Sequence, residues 1–272
     1  MRKGLIHSFK LTAAVFAAGL TLSVCHATLA QSTGNQVQIE KQQQRLASGD
    51  EEERRDALMR LGAMHVAAAS RAALPALNDP SPIIRVTAAK AILALDGSES
   101  AAALLPLLND RDEFVRREAA YALGATHSKT ATAALTDHLL NDKEAGVRGA
   151  AAVALGEIRD ENAVMPLANT LAPQLSAPAK SKGKPEVNPF VLRAAAVALG
   201  QIKNRAGTPA LISAVSNEKF PDDVRREAAR SLGLLGDPAA IPALQSAALS
   251  EDPFLARLAH ESLQKLSRGS NP

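Results

Sequence analysis

The sequence has no tryptophan and one tyrosine, only 3% of its 272 residues are aromatic, and its single cysteine is Cys25. So few rings exclude a core built on large aromatics and leave Ala, Leu, Val and Ile to fill it, a composition suited to helices that lie close together. One cysteine excludes a disulfide framework and a thiolate zinc cluster. There is no Walker-type phosphate loop, no Gly-rich dinucleotide turn, no G-x-S-x-G elbow and no H-E-x-x-H pair. No convincing run of alternating β-branched residues competes with helix formation.

The apparent excess of positive charge is local. The first thirty residues hold three of the 31 basic side chains, Arg2, Lys3 and Lys10, and no acid, so the remainder carries 28 of each sign. The pI near 9.1 therefore reflects the N-terminal segment and is no argument for nucleic-acid binding. That segment, 1–30, reads as an export signal: a basic start, the apolar stretch LTAAVFAAGLTLSV (11–24), then small residues with a cleavage position after Ala30 and a second at Ala27. The apolar stretch falls short of the roughly 20 residues of a membrane-spanning helix. The expectation is a periplasmic or secreted chain with no integral membrane segment after cleavage. LSVC (22–25) resembles a lipobox, giving lipoprotein processing at Cys25 as the alternative, with Val24 where that family prefers a small residue.

What is abundant is self-similarity. VRREAAYALG (115–124) returns as VRREAARSLG (224–233), and aligning their final Gly produces a column of Gly62, Leu93, Gly124, Gly156, Gly200, Gly233 and Gln264, with intervals of 31, 31, 32, 44, 33 and 31 residues. Val115, Ala119, Ala122 and Leu123 make an apolar helical stripe, with Arg116, Arg117 and Glu118 mainly on the other side. The column Gly is expected at the left-handed position that ends a helix. A second helix follows in each unit, with Pro166, Pro209 and Pro242 near its start and with Pro75 and Pro106 shortening or bending theirs. Units of this size cannot bury both faces alone, so the expected fold is an all-α superhelix, a solenoid of about seven stacked two-helix repeats over 49–268.

This pattern, D-x-x-x-x-V-R-x-x-A-A-x-A-L-G, resembles the HEAT-repeat superfamily, particularly the short bacterial repeats of the phycobilisome-lyase type. Two irregularities frame the array. Residues 31–48 are Gln-rich and polar, and their second half, 39–46, reads as a half-repeat that caps the first unit. The 44-residue interval contains PQLSAPAKSKGKPEVNP (173–189), expected as an exposed loop, and 269–272 is a short tail.

An Arg column, Arg54, Arg85, Arg116, Arg148 and Arg225, runs through the units, with Arg193 and Arg257 displaced by one residue, and Asp79, Asp110 and Asp142 each stand six residues before their unit's Arg. The resemblance implies that these Asp and Arg side chains bond at the joins between repeats, where a planar guanidinium can bridge carboxylate and backbone acceptors. His65 and His127 share a column but belong to units about 20 Å apart if helices pack at 8–10 Å, and His138 and His260 have no ligand-spaced cluster, so neither a metal nor another cofactor is expected. Deoxyhypusine hydroxylases, HEAT-like enzymes, carry His-Glu pairs in successive repeats; the matching places here are Arg117-Glu118 and Arg226-Glu227, without the histidine. His260-Glu261 stands alone and three residues out of register. Two sets remain as partner-binding candidates: Lys180, Lys182 and Lys184 in the loop, and Phe114, Phe190 and Phe254, which precede the repeat's Val or its equivalent. The reading is a monomeric, non-catalytic scaffold that binds a protein along concave second helices or through the 173–189 loop. An enzyme or cofactor-handling protein of the lyase or hydroxylase type is one alternative, and a lipid-anchored envelope protein is the other.

Overall fold

Several units open on a short polar side chain. Asp50, Asp112 and Asn188 stand in extended backbone and accept hydrogen bonds from the amides of Glu52, Phe114 and Phe190, satisfying donors that a helix start otherwise leaves unpaired. The Ala- and Leu-rich segments that follow are helices throughout. The computed structural model describes residues 33–172 and 188–269. Most of the 173–189 insertion, including Lys180, Lys182 and Lys184, lies outside the described residues, as do the expected export segment 1–30 with Cys25 and residues 270–272.

Among the described residues, α1 covers 33–46 and is followed by pairs. The first helices of the units are α2 (Glu51–Ala63), α4 (Pro82–Ala91), α6 (Glu113–Ala125), α8 (Ala145–Ile158), α10 (Pro189–Ile202), α12 (Asp222–Leu235) and α14 (Pro253–Gly269). The second helices are α3 (Ala67–Ala73), α5 (Gly97–Leu104), α7 (Thr132–Asn141), α9 (Val164–Leu171), α11 (Thr208–Ser216) and α13 (Ile241–Ala247). Pro75 and Pro106 act as the sequence suggests: α3 and α5 stop just before them and continue as 3-10 turns, Leu74–Asn78 and Leu105–Asn109. Pro209 and Pro242 lie in the first turns of α11 and α13.

The column glycines do something other than end helices. Each first helix with a column Gly runs past it, and the left-handed residue comes three positions later, at His65, His127, Arg159, Lys203 and Gly236, with φ between 51° and 66°. In the second unit that position is Asp96, which instead caps α5 by accepting from the amide of Ser98. Close approach explains the glycines: a Cβ on Gly124 would stand 2.8 Å from Cα of Ala154, and one on Gly156 2.8 Å from Cα of Ala198. Successive first helices therefore meet almost backbone to backbone. Where the facing residue is a serine its hydroxyl is satisfied by a helix carbonyl, Ser231 to Ala196 at 2.8 Å and Ser262 to Ala229 at 2.9 Å.

Second helices meet their successors more sparsely than first helices do. A stack bends toward its tighter layer, which argues for the first helices on the concave side. The sequence expectation placed the concave face on the second helices; the close approach of the first helices, which follows from their Ala and Gly composition, argues for the first helices instead. Between the layers runs one apolar seam of buried Leu, Ile, Val and Ala side chains. Its N-terminal end is closed by α1, which is longer than the 39–46 half-repeat expected: Ile39 and Gln42 are buried, and Arg45 bonds Asp56 at 2.6 Å and Glu53 at 3.3 Å. The Gln, Glu and Lys residues that make 31–48 look like a linker are good helix formers.

Candidate protein-interaction face

The joins between units are ionic. Arg54, Arg85 and Arg116 each point Nη1 at carbonyls of the loop before their own helix, Ser48 and Gly49, Asp79 and Pro80, and Asp110 and Arg111 respectively. Nε and Nη2 of the same guanidiniums form bidentate pairs with the Asp of the next unit: Asp79 at 2.9 and 3.2 Å, Asp110 at 2.7 and 2.8 Å, and Asp142 at 2.9 and 3.1 Å. Each Asp also accepts from the amide two residues ahead, at Ser81, Asp112 and Glu144. One guanidinium thus ties its own loop to its neighbour's, using the planar donor fork that only Arg has. Arg85 and Arg116 are buried. For Asp110 and Asp142, burial pushes the carboxyl up, but Arg85 or Arg116 and the turn amides outweigh it and hold both below the ordinary value near 3.8.

Arg148 keeps the loop contacts, to the carbonyls of Asp142 and Lys143. Arg225 departs from the pattern. Its Nε donates to the Val215 carbonyl, and Asp222 of its own first turn is 4.0 Å away. Arg226 takes the cross-unit role, pairing with Asp252 at 2.7 and 2.8 Å. The reason is visible in the alignment, where Ser250 stands at the Asp position of the last unit and Asp252 two residues later. That signal was present in the sequence, but the choice between Arg225 and Arg226 depends on where the acid falls.

On the concave side, the residues three before the Gly column form a line: Met59, Lys90, Tyr121, Val153, Val197, Arg230 and Glu261. Its centre, Tyr121, Val153 and Val197, is half-buried and apolar, and its C-terminal end is exposed and charged. In α8 the Arg-Glu pair of α6 and α12 is replaced by Gly149-Ala150, so the middle of the face loses charge and bulk together. Phe190 fills the space, and a Cβ on Gly149 would collide with its ring. Phe190 and Phe114 are half-buried, with the guanidinium of Arg117 5.2 Å from the Phe114 ring centre. Phe254 is 56% exposed under Arg226. The three Phe side chains therefore do not form one continuous exposed ridge.

The histidines are dispersed. His65 and His127 occupy left-handed cap positions, with Nδ1 of His127 3.0 Å from the Glu157 carbonyl, and His138 sits 3.2 Å from Asp142 inside an ionic join. Among the described residues no three His, Cys, Asp or Glu side chains gather as a metal site would, and no helix is long and apolar enough to cross a membrane.

A stack of two-helix units, tightened on one side by small residues and joined by Arg–Asp forks, is an α-solenoid. The family model for HEAT repeats matches residues 39–124, 101–174 and 186–264, and the chain belongs to the HEAT-repeat family. No curated protein matches it. Among solved structures it is similar to the YibA protein of Escherichia coli, at 19% identity and a TM-score of 0.59 over 89% of this chain and 85% of that one, which shows the shared fold. Human deoxyhypusine hydroxylase aligns at 19% identity and a TM-score of 0.42, over 86% and 99% of the two chains. The CpcE–CpcF complex of phycocyanin lyase from Nostoc sp. PCC7120 aligns at 24% and 0.48, over 86% and 92%.

Proposed function

We propose that the chain is an exported, non-catalytic adaptor that holds a protein partner against its concave face of first helices. The observation that supports this most is the line through Tyr121, Val153 and Val197, apolar at its centre and flanked by Lys90 on one side and by Arg230 and Glu261 on the other. An apolar middle with a polar rim is the anatomy of a protein interface, and a solenoid presents it without needing an enclosed pocket. The N-terminal segment supports export to the periplasm or beyond, with Gln31 as the first mature residue.

The test uses the mature chain as bait in a native envelope extract, beside a variant carrying Val153→Arg and Val197→Arg. The expected result is a reproducible partner that the variant releases while its thermal unfolding midpoint stays close to the parent's. A partner retained equally by both would remove the concave face from the reading. Mass spectrometry of the protein from its native cells should give Gln31 at the N-terminus. An acylated Cys25 would replace the soluble adaptor by a lipid-anchored one.

A further inference from the structure

At the edge of the stack, the loops before successive first helices frame a groove around the column Arg. Around Arg85 and around Arg116 the groove holds about 440 Å³ in each case, and the next unit's Asp, Asp110 or Asp142, lines it. Around Arg225 it holds about 680 Å³, within the roughly 300–1,000 Å³ of small-molecule sites. One departure from the repeat accompanies the larger volume: Ser250 stands where the other units have Asp. Its Oγ still accepts from the amide two residues ahead, Asp252 at 3.2 Å, as Asp79, Asp110 and Asp142 do from theirs. The turn is kept, but the carboxylate that should meet Arg225 is gone.

Arg225 is consequently underbonded. Arg54, Arg85 and Arg116 each donate four hydrogen bonds. Arg225 donates one, from Nε to the Val215 carbonyl at 3.2 Å, and the Asp222 carboxylate at 4.0 Å is beyond hydrogen-bond length. Its Nη1 and Nη2 have no acceptor among the described residues, although the side chain is only 15% exposed. A largely buried guanidinium favours any carboxylate that reaches those two donors. The surroundings rule out a plain anion, however, because Glu218 and Glu251 also line the groove and with Asp222 outnumber Arg225. A ligand carrying its own ammonium suits that balance. Val215, Ala247 and Leu249, the last 87% exposed, add an apolar wall.

We propose that this groove binds a small zwitterion with an apolar side chain, an α-amino acid or a short peptide with free ends. Its carboxylate meets Nη1 and Nη2 of Arg225, in the role that the repeat gives to Asp. Its ammonium faces Glu218 and Glu251, and its side chain lies against Leu249. The site is separate from the line through Tyr121, Val153 and Val197 and does not depend on the adaptor reading.

The test is isothermal titration calorimetry of the mature chain with L-leucine and with trileucine, beside the N-acetyl and amide derivatives of each, which lack one charge. Arg225→Gln removes the donors. Ser250→Asp restores the repeat's own carboxylate to the join and should occupy Arg225 from within, leaving the fold at least as stable as the parent's by circular dichroism. Binding of leucine or trileucine that falls about tenfold or more in both variants and for both derivatives supports the site. Tighter binding of leucine assigns it to a free amino acid, and tighter binding of trileucine to a peptide. No binding by the parent at millimolar ligand, binding unchanged in Ser250→Asp, or derivatives that bind as well as the free zwitterions overturn it. The Val153→Arg, Val197→Arg chain should bind the zwitterion as the parent does, so this site and the adaptor reading stand or fall separately.

Discussion

Gly156 is in the last turn of α8, where Ala would ordinarily be the better helix former by up to about 1 kcal/mol. Its added Cβ, however, would stand 2.8 Å from Cα of Ala198 on α10, and backbone cannot rotate away as a side-chain end can. Gly156→Ala should therefore destabilise the chain by about 1–3 kcal/mol, the usual cost of overpacking. Lys203 presents the opposite case. It is exposed and holds φ at 59°, a left-handed conformation that disfavours any side chain, while the equivalent position in the sixth unit is Gly236. Lys203→Gly should leave stability unchanged or raise it by up to about 1 kcal/mol. Urea unfolding followed by far-UV circular dichroism, the suitable probe for a chain without Trp, would measure both. A stabilised Gly156→Ala variant would contradict the close packing of α8 on α10.

At the scale of elements, the terminal helix α1, like α14 at the other end, has no paired helix of its own unit among the described residues. It lies over the open N-terminal end of the seam, with Ile39 4% exposed and Arg45 bridging Glu53 and Asp56 of α2. Ile39→Asp places a carboxylate among Leu side chains and should cost about 2–5 kcal/mol, with α1 losing amide protection in hydrogen exchange before α4 to α14 do. Global unfolding in one step would instead make α1 part of a single cooperative unit. Much of this architecture is legible in the sequence because it is recorded as spacing. The unit length, the shortened α3 and α5, and the Asp and Arg columns are all one-dimensional regularities. The curvature and the purpose of the glycines are not, because both are set by what lies across the interface from a residue, and a Gly that ends a helix looks the same as one that admits a neighbour. The full extent of α1 is obscured for a different reason: its polar residues serve equally a linker and an exposed helix. The central apolar line becomes visible only when Tyr121, Val153 and Val197 are known to share the concave side.

For the whole molecule, the ionic joins are unevenly distributed. Arg85–Asp110 and Arg116–Asp142 connect α4 to α6 and α6 to α8 with buried pairs, whereas among the described residues α10 meets α12 through Gly200 and Ser231 and the exposed Arg193–Asp223 contact. Asp110 and Asp142 titrate below the ordinary carboxylate value when folded, since the guanidinium and amide donors overcome the effect of burial. A depressed carboxyl contributes stability that is fully present above its unfolded value, near 3.8, and is lost as pH falls through the lower folded value. Acid should therefore loosen the α4–α6–α8 region while the α10–α12 contact, held by small residues, persists. Hydrogen exchange at neutral pH and below about pH 4, corrected for intrinsic rates, would show α6 and α8 losing protection before α10. Asp110→Asn should reproduce that loss for α4 and α6 at neutral pH, because it leaves the buried Arg85 guanidinium without a countercharge, a change that typically costs about 3–5 kcal/mol. Uniform loss of protection along the stack on acidification would mean that the ion pairs do not set the order in which the solenoid opens.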